Sequence, residues 1–267
     1  MYKSLFLLFF IHTLCWSQQN TLSDQIKGKV KSIESKTFLV KNNLIDSQPN
    51  YYFIKSFNIA GFPTQIQYMG DDEILDSEEV FTYTNSGKIS KIETLKKNGS
   101  INKTISVEYD ANDNVIREIK VNYKYDVESE TTYLYNDSNV LLSKKQQFPT
   151  IKFSTTDLYF YNDLLQIREI QKATPDGNSK EVYSYNEKGY LLEKAEYDIS
   201  NKIFSSIMYE YNLLGDKISL FKFDPSGEMT YFEQYEYVYD NKGNWTEKKT
   251  YVKGDFMSIE KRVIKYY

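Results

Sequence analysis

Tyrosine is the residue type whose number and spacing in this sequence could do chemistry. The chain has 25 tyrosines among 267 residues, and many occur in pairs separated by one residue, as Tyr183 and Tyr185 do. A tyrosine ring can stack on the face of a sugar while its hydroxyl bonds to a sugar hydroxyl. The same rings can instead pair across neighbouring strands and only stabilise a fold. The ring pairs therefore raise two hypotheses, a ligand site and a structural ladder.

Catalytic patterns are scarce. His12 and Cys15 are the chain's only His and only Cys, and both lie in a segment that we expect to be removed, which excludes a Ser-His-Asp or Cys-His site from the remainder. Asp110 opens a stretch like a calcium loop but lacks the later Gly and Glu, so a turn is expected there. We expect no enzyme activity, cofactor or metal. The one enzyme class that the sequence does not exclude is a glycosidase that uses two carboxylates.

The first 17 residues read as a secretory signal peptide. A short basic start is followed by the apolar run at residues 5–11, and Cys15 and Ser17 are small residues suited to cleavage before Gln18. A lipid anchor on Cys15 is the alternative, but Leu14 is larger than the residue that such a site needs. We expect an exported protein, periplasmic or extracellular, and no later run is long enough to span a membrane as a helix.

Charge argues against two classes of partner. The formal net charge is −4, and Lys and Glu are mixed along the chain without a basic block. Nucleic acid and anionic membrane are therefore not expected as partners, whereas a glycan or a protein of the cell envelope is compatible. The pattern does not predict an oligomeric state. Since no disulfide can form, stability must come from packing.

An internal repeat organises the sequence. Aromatic anchors recur at intervals of 24 to 28 residues, mostly 26, and a second ring precedes most of them by two positions. Residues i and i+2 share one face of a strand, so each copy presents its ring pair on one side. The anchors are Phe57, Tyr83, Tyr109, Tyr135, Tyr161, Tyr185, Tyr211 and Tyr239.

Each anchor is followed by a turn signal. Asn or Asp comes next in all copies but one, where Thr84 stands, and Gly usually follows three residues later. An Asx side chain that accepts backbone N–H groups and a Gly with positive φ predict a turn between strands, not a nucleotide loop. Leu165 occupies the Gly place in one copy, and we expect that turn to be distorted.

These signals predict an all-β fold, an antiparallel meander of β-hairpins with a turn about every 13 residues. Residues 18–267 form one domain of about eight complete repeats with a period near 26, and residues 28–33 match residues 87–92 as a partial copy. Eight repeats give about 16 strands. Because large open sheets curl, we expect an elongated, curled and twisted sheet.

The pattern Y-x-Y-[ND]-x-x-G with a following aliphatic residue resembles the YD repeats of RHS-type proteins. The resemblance covers most of residues 18–267 and implies a secreted or surface β-meander, often described as sugar-binding. The period is somewhat longer here, and Asn replaces Asp in most copies. The chain is short for the family's shell, and we expect no toxin domain.

The anchors are expected to form a structural ladder, because cross-strand ring pairs contribute about 0.2–1 kcal/mol each. Rings that the repeat does not require are the better candidates for contact with a ligand. Trp245 stands where other copies have an aliphatic residue, so a core role is favoured over a site there. We expect an exported, non-enzymatic protein that binds a glycan or protein partner through an extended β surface. The alternatives are a structural scaffold of the envelope and a carbohydrate-active enzyme. The candidate residues are Tyr190, Tyr197, Phe223, Tyr231, Trp245 and Tyr251.

Overall fold

The computed structural model describes residues 26–70 and 72–267, and the predicted signal peptide lies outside them. The described chain is almost entirely β-structure, with one 3-10 turn at Pro149–Ile151. Its nineteen strands are β1 Val30–Lys41, β2 Leu44–Ile45, β3 Tyr51–Phe57, β4 Pro63–Met69, β5 Leu75–Tyr83, β6 Ile89–Lys96, β7 Ile101–Tyr109, β8 Val115–Asn122, β9 Val127–Tyr135, β10 Leu141–Phe148, β11 Phe153–Tyr161, β12 Ile167–Thr174, β13 Gly177–Tyr185, β14 Leu191–Tyr197, β15 Ile203–Tyr211, β16 Lys217–Phe223, β17 Met229–Tyr239, β18 Trp245–Val252 and β19 Asp255–Tyr266. Within this part of the chain, no helix has the length and apolar character that crossing a membrane requires.

The sheet closes on itself. Each strand from β3 to β19 pairs antiparallel with the next, and β1 pairs with both β3 and β19, while the short β2 pairs only with β1. The result is a barrel of 18 strands. The predicted antiparallel hairpin meander is confirmed, but the predicted open, curled sheet of about 16 strands is wrong. Strand twist accumulates across so many strands, and closure leaves no unpaired edge.

The closing seam repeats the geometry of an ordinary hairpin in the chain. Tyr266 pairs with Val30, with a bulge just beyond, as Tyr83 pairs with Ile89. Gly28 has φ 82°, close to the 80° of Gly87. Tyr267 N–H donates to the Lys29 carbonyl at 3.0 Å. Residues 28–33 and 87–92, which match in sequence, thus occupy equivalent places in the barrel, each leading from a turn into a strand.

The turns after the odd-numbered strands β3 to β17 share one geometry and lie at one end of the barrel, which we call the Asx rim. The backbone N–H of the first turn residue donates to the carbonyl of the fifth. The N–H of the fourth residue donates to the carbonyl of the first. In the turn after β13, the Asn186 side-chain oxygen accepts from Lys188 and Tyr190 N–H at 3.0 Å each. The eight turns are residues 58–62, 84–88, 110–114, 136–140, 162–166, 186–190, 212–216 and 240–244.

Leu165 does not distort its turn. It adopts φ 59°, and its N–H donates to the Asn162 carbonyl at 3.0 Å as in the other copies. The prediction of a distorted turn is therefore wrong, because the Asx side chain and the flanking strands fix the backbone even without Gly. The predicted turn at Asp110 is confirmed by bonds from Asn112 and Asn114 N–H to its carboxylate.

Turns at the opposite end, the far rim, are of several kinds. Asn122, Asp198 and Asp224 repeat the Asx geometry. The β10–β11 connection instead contains the 3-10 turn. The β18–β19 connection is a two-residue turn between Val252 and Asp255. The repeat therefore constrains one rim of the barrel more than the other.

The ring-bearing face is the less exposed face of the sheet. In β9, Ser129, Thr131 and Tyr133 are buried while Thr132 and Leu134 are exposed. Side chains crowd on the concave side of a closed barrel, so we assign this face to the interior and the alternate residues to the outer face. Paired residues on neighbouring strands lie on the same face, which extends the assignment around the barrel.

Anchor tyrosines tie neighbouring hairpins together. Five anchor hydroxyls donate to the carbonyl of the first residue of the preceding strand, as Tyr161 does to Leu141 at 2.8 Å. In β17 this bond comes from Tyr237, which donates to Lys217 at 2.7 Å. The anchor there, Tyr239, donates to Asp216 instead. The longer repeat of 28 residues has thus moved the bonding ring by two positions.

Candidate functional site

A groove of about 380 Å³ lies on the outer face at the far rim, between β15 and β16. Register explains its composition, since Ser206 lies opposite Phe223 and Met208 lies opposite Phe221. The ring of Phe221 in turn stacks on that of Phe232 in β17, with centroids 6.5 Å apart. The groove is lined by Ile203, Ser206, Met208, Phe223 and residues 224–227.

Apolar side chains extend beyond the groove over β15, β16 and β17. Phe204 is 64% exposed, Met229 is 51% exposed and Met208 is 38% exposed. We call this set the outer aromatic patch, defined as Phe204, Met208, Phe221, Phe223, Met229 and Phe232. Single exposed apolar residues are ordinary on a protein surface, but a contiguous set usually marks an interaction site.

Repeat comparison shows that the fold does not demand Phe204. It stands seven residues before its anchor, and in the six preceding repeats that place holds a polar or charged residue, whereas the following repeat has Phe232 there. The polar or charged residues are Asn50, Asp76, Asn102, Glu128, Ser154 and Asn178. A phenylalanine at this place is therefore confined to the last two repeats, and both belong to the outer aromatic patch.

Carboxylates border the patch. Glu193 on β14 lies opposite Met208, and Glu210 follows Met208 by two residues on the same face. Asp224 lines the groove itself. Hydrogen bonds from the Ser226 hydroxyl and from backbone N–H groups hold the pKa of the Asp224 carboxyl below its usual value. The groove is apolar with an ionised acidic margin.

A second concavity of about 220 Å³ lies on the neighbouring hairpins of the far rim. Its lining includes the amide side chains of Gln171, Asn178 and Asn201 together with Lys180. The Lys180 ammonium lies 4.7 Å from the centre of the Tyr197 ring. Apolar side chains, Leu158 and Ile199 among them, complete its lining.

The six candidate residues from the sequence do not form one site. Phe223 lines the groove, and Tyr197 adjoins the second concavity through Lys180. Tyr251 is on the outer face, where its hydroxyl donates to Glu236 at 3.0 Å. Register thus separates the candidates on the outer face from those that face inward.

The remaining three candidates make contacts within the barrel. Tyr231 donates to Glu233 on the interior face. Trp245 is 9% exposed, and the Arg262 guanidinium lies 3.3 Å from its ring centre. Tyr190 packs on the anchor Tyr211 with ring centroids 5.0 Å apart.

Sequence reasoning missed most of the patch. Met208, Phe221 and Phe232 become neighbours only through strand register. The one signal available was the replacement of a polar residue by Phe204 at a fixed place in the repeat. Comparing the copies position by position, and not only at the anchors, could have found it.

Charged groups on the interior face form a ladder of ion pairs from β10 to β14. Lys144 pairs with Asp157 at 3.2 Å, and Glu181 accepts from Lys172 at 3.0 Å and Lys194 at 2.6 Å. Burial alone raises the pKa of Glu181, but bonds from Lys194 and Tyr183 and the charge of Lys172 outweigh it and lower this pKa to about 2. These carboxylates are occupied by structural partners.

Glu118 on the interior face behaves differently. Burial raises the pKa of its carboxyl against the opposing effects of Tyr133 and Lys144. One of its oxygens has no hydrogen-bond partner within the described chain. Among the described residues, no group of three or more acidic, His or Cys side chains is arranged to hold a metal ion.

Comparison with known proteins identifies no family for this chain. No family model matches the chain, and no curated protein does. A crystal structure of a porin-like protein from Bacteroides uniformis is 14% identical, with a TM-score of 0.47, covering 90% of this chain and 99% of that one. A porin-like protein from Bacteroides vulgatus is 12% identical, with a TM-score of 0.34, covering 89% and 98%. We draw no conclusion about function from likenesses this distant.

Proposed function

We propose that this chain is an exported, non-enzymatic barrel that binds a protein partner through the outer aromatic patch. The observation that carries the proposal is the 64% exposure of Phe204, at a place where the six preceding repeats have polar or charged residues. Exposing a ring there does nothing for the barrel, whereas burying it against a partner removes apolar surface from water.

One part of the outer face supports this choice by contrast. On the opposite side of the barrel, Arg117 pairs with Glu108 at 3.3 Å and with Glu130 at 2.8 Å. Such mixed charge is typical of a surface in water. The patch thus differs from this charged part of the outer face, while single exposed apolar residues such as Leu134 and Val263 occur elsewhere.

The interior side chains support the proposal that the chain is not an enzyme. Anchor hydroxyls are committed to backbone carbonyls, and Glu181 and Asp157 are held by lysines. A glycosidase needs one carboxyl as acid and another as base or nucleophile. Carboxylates held in ion pairs are poorly suited to those roles.

Site-specific photocrosslinking tests the proposal. A photoreactive phenylalanine analogue at position 204 should yield a defined crosslinked protein in the envelope fraction of cells that express the chain. The matched control is the same analogue at Leu134, an outer-face residue that is 59% exposed. Identical products at the two positions would refute the role of the patch, and no product at either would favour the scaffold alternative.

A glycan remains the second candidate, because three amide side chains line the smaller concavity beside Lys180 and Tyr197. Amides and rings together are the groups that hold sugar hydroxyls and faces. Binding on a glycan array that is lost in the double variant Gln171→Ala, Asn178→Ala would support this site. Unchanged binding in that variant would exclude it.

A further inference from the structure

We propose that the outer aromatic patch takes a basic, apolar polypeptide segment. This inference rests on the proposed function and names the chemistry of its partner. It follows from how strand register distributes charge between the two faces of β14 to β17.

Outward charges on these four strands are all acidic. Glu193 and Glu210 flank Met208 on the outer face, and Glu236 lies outward on β17. Within the described chain, Glu193 and Glu210 have no ion-pair partner, whereas Glu236 lies 3.9 Å from Lys249. The patch is therefore bordered by two carboxylates that a partner's bases could pair with.

Bases on the same strands point the other way. Lys194 lies opposite Tyr183 and pairs with Glu181 in the interior. Lys217 lies over the ring of Tyr209 at 4.1 Å, and Lys222 lies over the ring of Tyr231 at 5.0 Å. Because side chains alternate between the two faces of a strand, the basic side chains of these strands point into the barrel and the acidic ones border the patch outside.

Asp224 and Glu228 add negative charge at the far-rim end of the groove. Asp224 N–H and Glu228 N–H form the turn that closes the groove. Hydrogen bonds to Asp224 favour its charged form. The turn between β14 and β15 carries one exposed base, Lys202. The acids outnumber it, which disfavours an acidic or phosphorylated segment, a nucleic acid and an anionic lipid surface.

Size suits a segment of polypeptide. Three strands about 4.8 Å apart make a patch roughly 10–15 Å wide. Apolar side chains of a segment can enter the 380 Å³ groove beside Phe223 while lysine or arginine side chains reach the acids on either side. Apolar contact supplies the affinity, and the charge border supplies selectivity and orientation.

Binding of two fluorescent ten-residue peptides to the full chain tests this. One alternates leucine and serine with lysine, and the other has glutamate in place of each lysine. We expect the lysine peptide to bind and the glutamate peptide not to bind. Raising the salt concentration should weaken binding, because exposed charges are screened.

Variants locate the site. The double variant Glu193→Lys, Glu210→Lys should weaken binding of the lysine peptide about three- to tenfold or more, from the energies of exposed ion pairs. Phe204→Ser should also weaken it. The matched control is Asp137→Lys, a charge reversal at an exposed turn of the Asx rim, which should leave binding unchanged. Circular dichroism and unfolding of each variant show that the barrel is intact.

Outcomes separate the two proposals. If Phe204→Ser weakens binding but charge reversal at 193 and 210 does not, the basic partner is wrong while the patch keeps its role. If the glutamate peptide binds equally well, the basic partner is likewise wrong. If neither Phe204→Ser nor the reversal changes binding relative to Asp137→Lys, both proposals fail.

Discussion

Rings on the interior face and rings in the outer aromatic patch differ in what holds them. Inside, the hydroxyl of Tyr161 donates to the Leu141 carbonyl at 2.8 Å, and the same bond recurs around the barrel. Outside, Phe204 carries no polar atom and is 64% exposed. The anchor rings serve the fold, and Phe204, at a place where most repeats have no ring, is exposed. Periodicity in a repeat protein is thus a guide to structure, and departures from it are a guide to function.

The largest test of this difference is truncation of one ring from each set. Tyr183 is 9% exposed and packs with Ile167 and Ile170, so Tyr183→Ala should lower the free energy of unfolding by about 3–5 kcal/mol. Phe204→Ala should change it by less than about 0.5 kcal/mol. Denaturant unfolding of both variants measures this. Equal losses would show that the exposed ring also serves the fold.

Lowering the pH should reduce stability more through the interior carboxylates than through those that border the patch. The pKa of Glu181 is lowered to about 2, so its stabilising effect is present above its ordinary pKa of about 4.5 and is lost as pH falls toward 2. Between pH 7 and pH 3, wild type should lose about 1–2 kcal/mol more stability than Glu181→Gln, allowing for solvent screening. Glu210→Gln is the control and should lose as much as wild type.

Removing a single hydroxyl gives a smaller effect. Tyr161→Phe deletes the bond to the Leu141 carbonyl and should cost about 0.5–1.5 kcal/mol. Tyr197→Phe alters an outer-face ring that lies under Lys180 and should cost little. Thermal unfolding of the two variants tests this, and a greater loss for Tyr197→Phe would contradict the assignment of roles.

The smallest expected effect is a gain in stability. Leu165 adopts φ 59° in an Asx-rim turn, a conformation that costs an L-residue about 1–2 kcal/mol. Leu165→Gly should therefore stabilise by about 0.5–1 kcal/mol after the entropy cost of Gly. Leu164→Gly, one position earlier, should stabilise nothing because the φ of Leu164 is not positive. A loss of stability in Leu165→Gly would mean that the side chain contributes more than the backbone strain costs.

Part of the site could be read without the structure. Phe223 was found because the repeat does not require its ring, and it lines the groove. Tyr231 is a candidate for the same reason, yet it makes its contact within the barrel. Trp245 is buried there, as its place in the repeat favours. Whether an unrepeated ring points inward or outward depends on strand bulges. Those bulges shift the alternation by one residue, as between Glu196 and Tyr197 in the β14–β15 pairing.

The sequence alone determined the features that depend on neighbouring residues. The signals for these features act over a few residues: Asx side chains, left-handed turn positions and alternating rings. The period near 26, the hairpins and the antiparallel meander could therefore be predicted from the sequence. Closure was decided only by the tertiary structure, because it depends on twist summed over 18 strands and on the pairing of Val30 with Tyr266. The aromatic patch and its acidic border were decided there too, since register sets which residues of separate strands become neighbours.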